Sequence, residues 1–173
     1  MVVVAIVGLV IGTVSISMEA LLPGERLNSS IRELASELSR ARAEAISRSM
    51  EFRIEYDQPN NRYRLQTPYR TGEGGAIRTY DDPLDDTERF YGSWKQLHPG
   101  VAFKRIVIGG VDYVDVPCYV RFDPLGAASD HSVILTQPAY DNAFTIEVLA
   151  LTGLIRMHQG EFVREMPDDA DFD

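Results

Sequence analysis

The first eighteen residues, MVVVAIVGLVIGTVSISM, carry no ionisable side chain, and a few residues later the chain runs LNSSIRELASELSRARAEAISRSM. That start restricts the fold more than any other feature. A buried core helix is an alternative, but such helices usually show a polar face, and Met1–Gly12 has none. A cleaved secretory signal has a basic n-region and a shorter apolar core, whereas no Lys or Arg precedes Val2. A membrane-spanning helix takes roughly 20 apolar residues to cross a hydrocarbon core of about 30 Å. Eighteen residues at about 1.5 Å each reach about 27 Å. Residues 1–22 are therefore expected to be the transmembrane part of an N-terminal helix. Val4, Ile6, Gly8, Val10 and Gly12 would be its packing positions. Gly8 and Gly12 form a small-xxx-small pair that lets helices approach closely, although two glycines merely tolerated in lipid would read the same.

After Glu19 and Leu21-Leu22 comes Pro23-Gly24, where proline removes a helix hydrogen bond. A break and a flexible joint are expected there. Ser30 and Glu33 fit a capping box that would restart the helix. Residues 23–50 then read as an amphipathic helix. Leu27, Ile31, Leu34, Leu38, Ala41 and Ala45 recur at steps of three and four on one face. Arg32, Glu37, Arg40, Glu44 and Arg48 are assigned to the other face, with Arg40–Glu44 and Glu44–Arg48 at the favourable i,i+4 spacing. The apolar stripe needs a cover, and the rest of the chain supplies it.

From Glu51 the period becomes two. EFRIEYD, the turn QPNN and RYRLQ predict a β-hairpin with Phe52, Ile54 and Tyr56 on one face. Residues 68–100, rich in Pro, Gly and Asp, read as a long variable loop with a short helix near Asp85–Trp94. Strand patterns return in VAFKRIVI, VDYVDV, YVRFD, SVILTQ, AFTIEVLA and LIRMH, separated by Gly-, Pro- and Asn-containing turns. Residues 161–173 read as a frayed acidic tail. The expected class is α+β, one helix packed on antiparallel sheets, with a soluble β-rich domain at 51–160.

The formal net charge of -9 opposes a general nucleic-acid binder, which needs a basic footprint. The single cysteine, Cys118, has no partner for a disulfide or a Cys-based zinc site and reads as a small buried side chain. His98, His131 and His158 lie far apart in sequence and read as surface or turn residues. TGEGGA (Thr71–Ala76) lacks the Lys-Ser/Thr of a phosphate loop, DPLG (Asp123–Gly126) reads as a strand-ending turn, and Ser93 has no nucleophile-elbow pattern around it. No catalytic residue, cofactor or metal site is expected. The acidic strings at Tyr80–Asp86 and Pro167–Asp173 offer the oxygen ligands calcium prefers, but not its loop spacing, so solvated loops are favoured. Arg62, Arg64, Arg70 and Arg78 make a locally basic stretch, which a solvated hairpin face explains as well.

Three strings carry a resemblance. VVVAIVGLVIG resembles the membrane half of a prepilin N-terminal motif. LASELSRARAEAISRSM resembles the soluble helix of the GspH/FimT group, with Leu34, Leu38, Ala41, Arg42, Glu44, Ala45 and Ile46 in the L-x-x-x-L-x-x-A-R-x-E-A-I places. VRFDPLGAAS and FTIEVLALTGLI resemble that group's closing strands through Phe122, Pro124, Gly126, Thr152 and Gly153. The chain is thus similar to type IV pilin-like minor pseudopilins. That resemblance implies a pilin-like fold and a structural role in a type II secretion pseudopilus at the bacterial inner membrane. Its partners would be other pseudopilins in a filament and, for a full-length chain, the prepilin peptidase. By the family's register, about six residues of a mature chain and a basic leader would precede Met1, so the residues for cleavage and N-methylation are not assigned. The alternatives are a FimT-like minor type IV pilin, in pilus assembly or DNA uptake, and a plain single-pass anchored binding domain. Gly153 and Arg156 keep the G-x-x-R turn of DNA-binding relatives, but Leu154 and Ile155 are apolar and the tail is acidic.

Overall fold

Leu27, Ile31, Leu34, Leu38, Ala41 and Ala45 are all buried in the computed structural model. The model describes residues 2–78 and 88–164, with side chains from Gly24 onward. The stripe lies on helix α1, Val2–Arg48. Burying a leucine-sized side chain stabilises by about 1.5–3 kcal/mol, so the stripe is the main fastening of the helix to the domain. The helix ends where Ser49 turns left-handed (φ 55°) and Met50 N–H donates to the Ala45 carbonyl at 3.2 Å.

The expected joint at Pro23-Gly24 does not form. The helix runs unbroken through both residues, because a proline forfeits one hydrogen bond while well-formed helix on either side holds the axis. Ser30 accordingly sits mid-helix, buried, and its Oγ accepts the His98 backbone N–H at 3.1 Å. Glu37 also departs from expectation. It lies at the edge of the stripe, buried, paired with Lys95 at 2.5 Å and Arg40 at 3.2 Å. Arg40 therefore pairs backward with Glu37, and Glu44 pairs with Arg48.

Eleven strands are formed among the described residues: β1 Phe52–Asp57, β2 Arg62–Gly72, β3 Gly75–Arg78, β4 Arg89–Tyr91, β5 Lys95–Gln96, β6 Ala102–Ile108, β7 Val111–Tyr113, β8 Cys118–Phe122, β9 His131–Gln137, β10 Asn142–Val148 and β11 Ile155–Gln159. They make two antiparallel sheets. One has the order β3-β2-β1-β8, with β4 and β5 also pairing to β2; the other has the order β11-β10-β9-β6-β7. The helix stripe lies against both, touching β1 and β8 of the first and β9, β10 and β11 of the second. Phe52, Ile54, Tyr56, Val120, Phe122, Val133, Leu135, Ile146 and Val148 complete the core.

The stretch 68–100 is not a plain loop. It carries the end of β2 with β3, β4 and β5, and Arg89–Tyr91 is strand where a helix was expected. These strands are two to four residues long and owe their form to pairing with β2 rather than to their own pattern. The VDYVDV run yields strand only at Val111–Tyr113. The start of the tail is docked, not frayed: Glu161 pairs with Lys104 and with Arg105 at 3.8 Å, and Phe162 stacks on His158 at 4.1 Å.

Among the described residues no helix is long and apolar enough to cross a membrane. The expected packing positions Val4, Ile6, Gly8, Val10 and Gly12 have no described side chains, and the two acidic strings fall in residues outside the description.

Candidate functional site: a clasp between the helix and two turns

Strand direction determines which turns meet the end of α1. β10 starts at Asn142, near Leu27, since Gly24, Leu27, Asn142, Phe144 and Gln159 line one cavity. It runs toward the far end of the domain, and the turn after it returns beside the β8–β9 turn. There Arg42, Gly126 and Gly153, distant in sequence, come together. Arg42 Nε donates to the Gly126 carbonyl at 2.9 Å, and Ala128 N–H donates to the Ala150 carbonyl at 2.7 Å, tying one turn to the other.

Both glycines are required by geometry. Gly126 has φ 86° and Gly153 φ 59°, a region costly to any residue with a Cβ. A Cβ on Gly153 would lie 2.4 Å from the Gly126 carbonyl oxygen and 2.6 Å from Arg42 Nε. A Cβ on Gly126 would lie 2.9 Å from Ile46 Cδ1. The first turn is further wound by Asp123, whose Oδ1 accepts the Leu125 N–H at 2.8 Å and the Ala127 N–H at 3.0 Å. Pro124 is exposed at its crest and Phe122 is fully buried at its base. Glu44 faces solvent with Arg48. The clasp therefore gathers Arg42, Phe122, Pro124, Gly126 and Gly153 at one end of the molecule, with Glu44 beside it.

The product of this rigid arrangement is apolar exposure. Leu125 and Leu151, at the tips of the two turns, are each 92% exposed, with Leu154 and Ile46 also exposed nearby. Isolated exposed leucines are ordinary; these two stand on turns tied to each other by the Ala128–Ala150 hydrogen bond. Sequence pattern alone did not flag them, because each looks like a single apolar residue in a polar turn.

Nothing else in the described region has the character of a reactive site. His131, expected at the surface, is buried. Its Nδ1 lies 2.7 Å from the Ser129 carbonyl, its Nε2 lies 3.4 Å from the Tyr56 hydroxyl, and burial lowers its pKa to about 4. Burial raises the Cys118 thiol to about 11 against a weaker opposing hydrogen bond from Gln58, leaving it a poor nucleophile. Glu147 is buried between His158 at 3.1 Å and Arg164 at 2.6 Å. Arg62, Arg64 and Arg70 each hold a carboxylate, at 2.7, 2.6 and 3.4 Å, and Arg62 and Arg64 also stack on Trp94. Their charge is spent within the surface. Among the described residues no cluster of His, Cys, Asp and Glu could hold a metal ion.

A comparison with curated proteins gives no sequence match. Two solved structures of the minor pseudopilin EpsH from the type II secretion system of Vibrio cholerae share the fold. One has TM-score 0.55 at 14% identity, covering 80% of this chain and 98% of that one; the other has TM-score 0.53 at 13% identity, covering 78% and 97%. The type IV minor pilin FimU of Pseudomonas aeruginosa aligns at TM-score 0.49 and 15% identity over 78% and 89%. The helix stripe from Ile31, every strand but β11 and the clasp up to Thr152 fall within residues 30–152, which match the family model of the type II transport protein GspH. The chain belongs to the GspH family, with an α+β pilin-like fold.

Proposed function

We propose that this protein is a minor pseudopilin, a structural subunit of a type II secretion pseudopilus that supports protein export across the outer membrane. The apolar residues 1–22 anchor it in the inner membrane as a single span, and the β-rich domain stands outside the cytoplasm. It works by contact with other pseudopilins, not by catalysis, and processing by the prepilin peptidase belongs to the same scheme. The apolar helix exchanges lipid for sister helices on assembly, a transfer between two apolar surroundings in which close packing at small residues decides the outcome.

The observation that carries the proposal is that the matched region is a chassis for presenting surface. Arg42 and Gly126 within it, with Gly153 just past its end, brace two turns and build no pocket around a reactive group. The DNA-uptake alternative loses support because Arg62, Arg64 and Arg70 are already paired with carboxylates. Deletion of the gene in its own bacterium tests the proposal, with type II exoproteins measured in the medium and periplasm. Exoproteins retained in the periplasm, and released again on complementation, are expected. Normal secretion with lost pilus function or DNA uptake would overturn it.

A further inference from the structure

Three turns gather at the end of the domain opposite the clasp, beside the start of its helix. The β9–β10 turn reaches the level of Gly24, because Asn142 and Ala143 line one cavity with Gly24, Leu27 and Asn28. The β5–β6 turn stands beside Ser30, whose Oγ accepts the His98 N–H at 3.1 Å. The β1–β2 turn adjoins it, with Leu97 N–H donating to the Asn61 carbonyl at 2.9 Å. Apart from His98, Asp141 is the only ionisable residue in these turns, residues 58–61, 98–101 and 138–142. Tyr140 lies in the turn nearest the helix start and is 54% exposed. A short 3₁₀ helix, Pro138–Tyr140, ended by Asp141 at φ 50°, carries it, and Thr136 Oγ1 donates to the Asn142 carbonyl at 3.1 Å across the base. Helix α1 is unbroken from Val2 to Arg48, so depth can be counted along its axis. Gly24 to Asn28 stand about 3–9 Å past Leu22 at about 1.5 Å per residue. Tyr140 precedes Asn142 by two residues, and at about 3.3 Å each it reaches back up to about 7 Å, to the level of Leu22. Leu22 ends the apolar span, and beyond the hydrocarbon core lies a headgroup layer about 5–8 Å deep. A tyrosine, with an apolar ring and a polar hydroxyl, suits that layer.

We propose that the β9–β10 turn seats Tyr140 in the phospholipid headgroup layer of the membrane that holds residues 1–22. The chain itself selects this occupant, since the helix that carries the domain leaves the bilayer beside the turn. The assignment rests on the membrane-anchor reading above. Turns almost without charge suit the contact, because few ionised groups have to shed water there. A ring already fixed on a braced turn also loses little conformational freedom on docking. The seat holds the domain against the bilayer while the subunit waits in lipid, and it is given up when the helix moves into a filament.

A fluorophore beside Tyr140 tests the seat in the full-length protein, reconstituted into vesicles of phosphatidylethanolamine and phosphatidylglycerol. Ala139→Cys and, as the control at the clasp end, Leu125→Cys each offer one labelling site; both native side chains are exposed. Native Cys118 is buried, so it stays unlabelled in a folded variant and reports the fold of each. Lipid carrying a nitroxide on its headgroup is expected to quench the label at 139 about twofold or more, and to leave that at 125, about 27 Å along the axis from Gly24, unchanged. Adding Tyr140→Ser to Ala139→Cys is expected to weaken the quenching. A folded, vesicle-bound Ala139→Cys protein that is not quenched overturns the seat and leaves the anchor standing. Quenching undiminished by Tyr140→Ser removes Tyr140 from the contact and overturns the proposal as well. Equal quenching at both positions means adsorption without a preferred end and refutes it too. Protein that fails to float with the vesicles refutes the anchor and the seat together. Gene-dependent secretion is measured separately, so the pseudopilin role is judged by its own assay whichever of these results is found.

Discussion

Replacing Gly153 by alanine isolates the energetics of the clasp, and Gly109 provides the matching control. The two glycines have nearly the same backbone, φ 59° and φ 56°. A Cβ on Gly109 meets nothing within 4 Å, whereas one on Gly153 falls 2.4 Å from a backbone oxygen. Gly109→Ala should therefore show only the left-handed penalty, about 1 kcal/mol. Gly153→Ala carries that penalty and a collision that real Cβ atoms avoid below 3.0 Å. Either the two turns separate by more than half an ångström, or the Arg42–Gly126 hydrogen bond breaks. Overpacking costs about 1–3 kcal/mol, and leaving a buried carbonyl unpaired costs about 1–3 kcal/mol, so Gly153→Ala should lose about 3 kcal/mol in all. Urea unfolding followed by the fluorescence of Trp94, the only tryptophan, measures both. Equal m-values are required for the comparison. Losses within about 0.5 kcal/mol of each other, the limit of additivity between independent sites, would refute the packing argument.

The remaining predictions concern buried ionisable groups. His131 is held near pKa 4 in the fold against 6.5 for an ordinary histidine, so between these values the unfolded chain binds a proton that the native one refuses. Stability should fall as pH drops from about 6.5 to 4, by about 3 kcal/mol in all; His131→Leu should remove that slope in denaturation curves taken at each pH. Cys118, with its thiol raised from 9.0 to about 11, should form about 100-fold less thiolate than an ordinary cysteine and be alkylated in the native state at a correspondingly lower rate. Unfolding in urea should restore full labelling, and fast labelling of the native protein would contradict its burial. Arg164→Ala leaves buried Glu147 with only His158. Because Arg164 itself is half exposed, the loss should be about 1–2 kcal/mol in urea unfolding, below that of a fully buried pair.

Much of the chassis could be read from periodicity. The stripe from Leu27 to Ala45 and the alternation of Phe52, Ile54 and Tyr56 are local patterns, and a buried face imposes them directly. The turn DPLG announces itself through Asp123, Pro124 and Gly126, each suited to a turn for its own reason. What stayed hidden depends on partners far along the chain. The strands β4 and β5 exist only against β2. Glu37 looks like a solvent residue until Lys95, fifty-eight positions later, arrives to pair with it. His131 opens a strand whose two faces are both covered, so its burial follows from the sheet rather than from its neighbours. Continuity through Pro23-Gly24 reverses a local rule, because the helix on each side outweighs one lost hydrogen bond. The clasp lies between these cases. Arg42, Gly126 and Gly153 are visible one by one, but their meeting is a property of the topology.

Incorporation into a filament is the most direct test of the central claim that this chain is a structural subunit. Pseudopili from secreting cells can be sheared, sedimented and probed quantitatively for the protein, alongside its level in the membrane. The account predicts that the chain sediments with the filaments as a minor component and that Gly153→Ala depletes it there. A protein abundant in the membrane, folded by Cys118 protection and absent from the filaments would contradict the account.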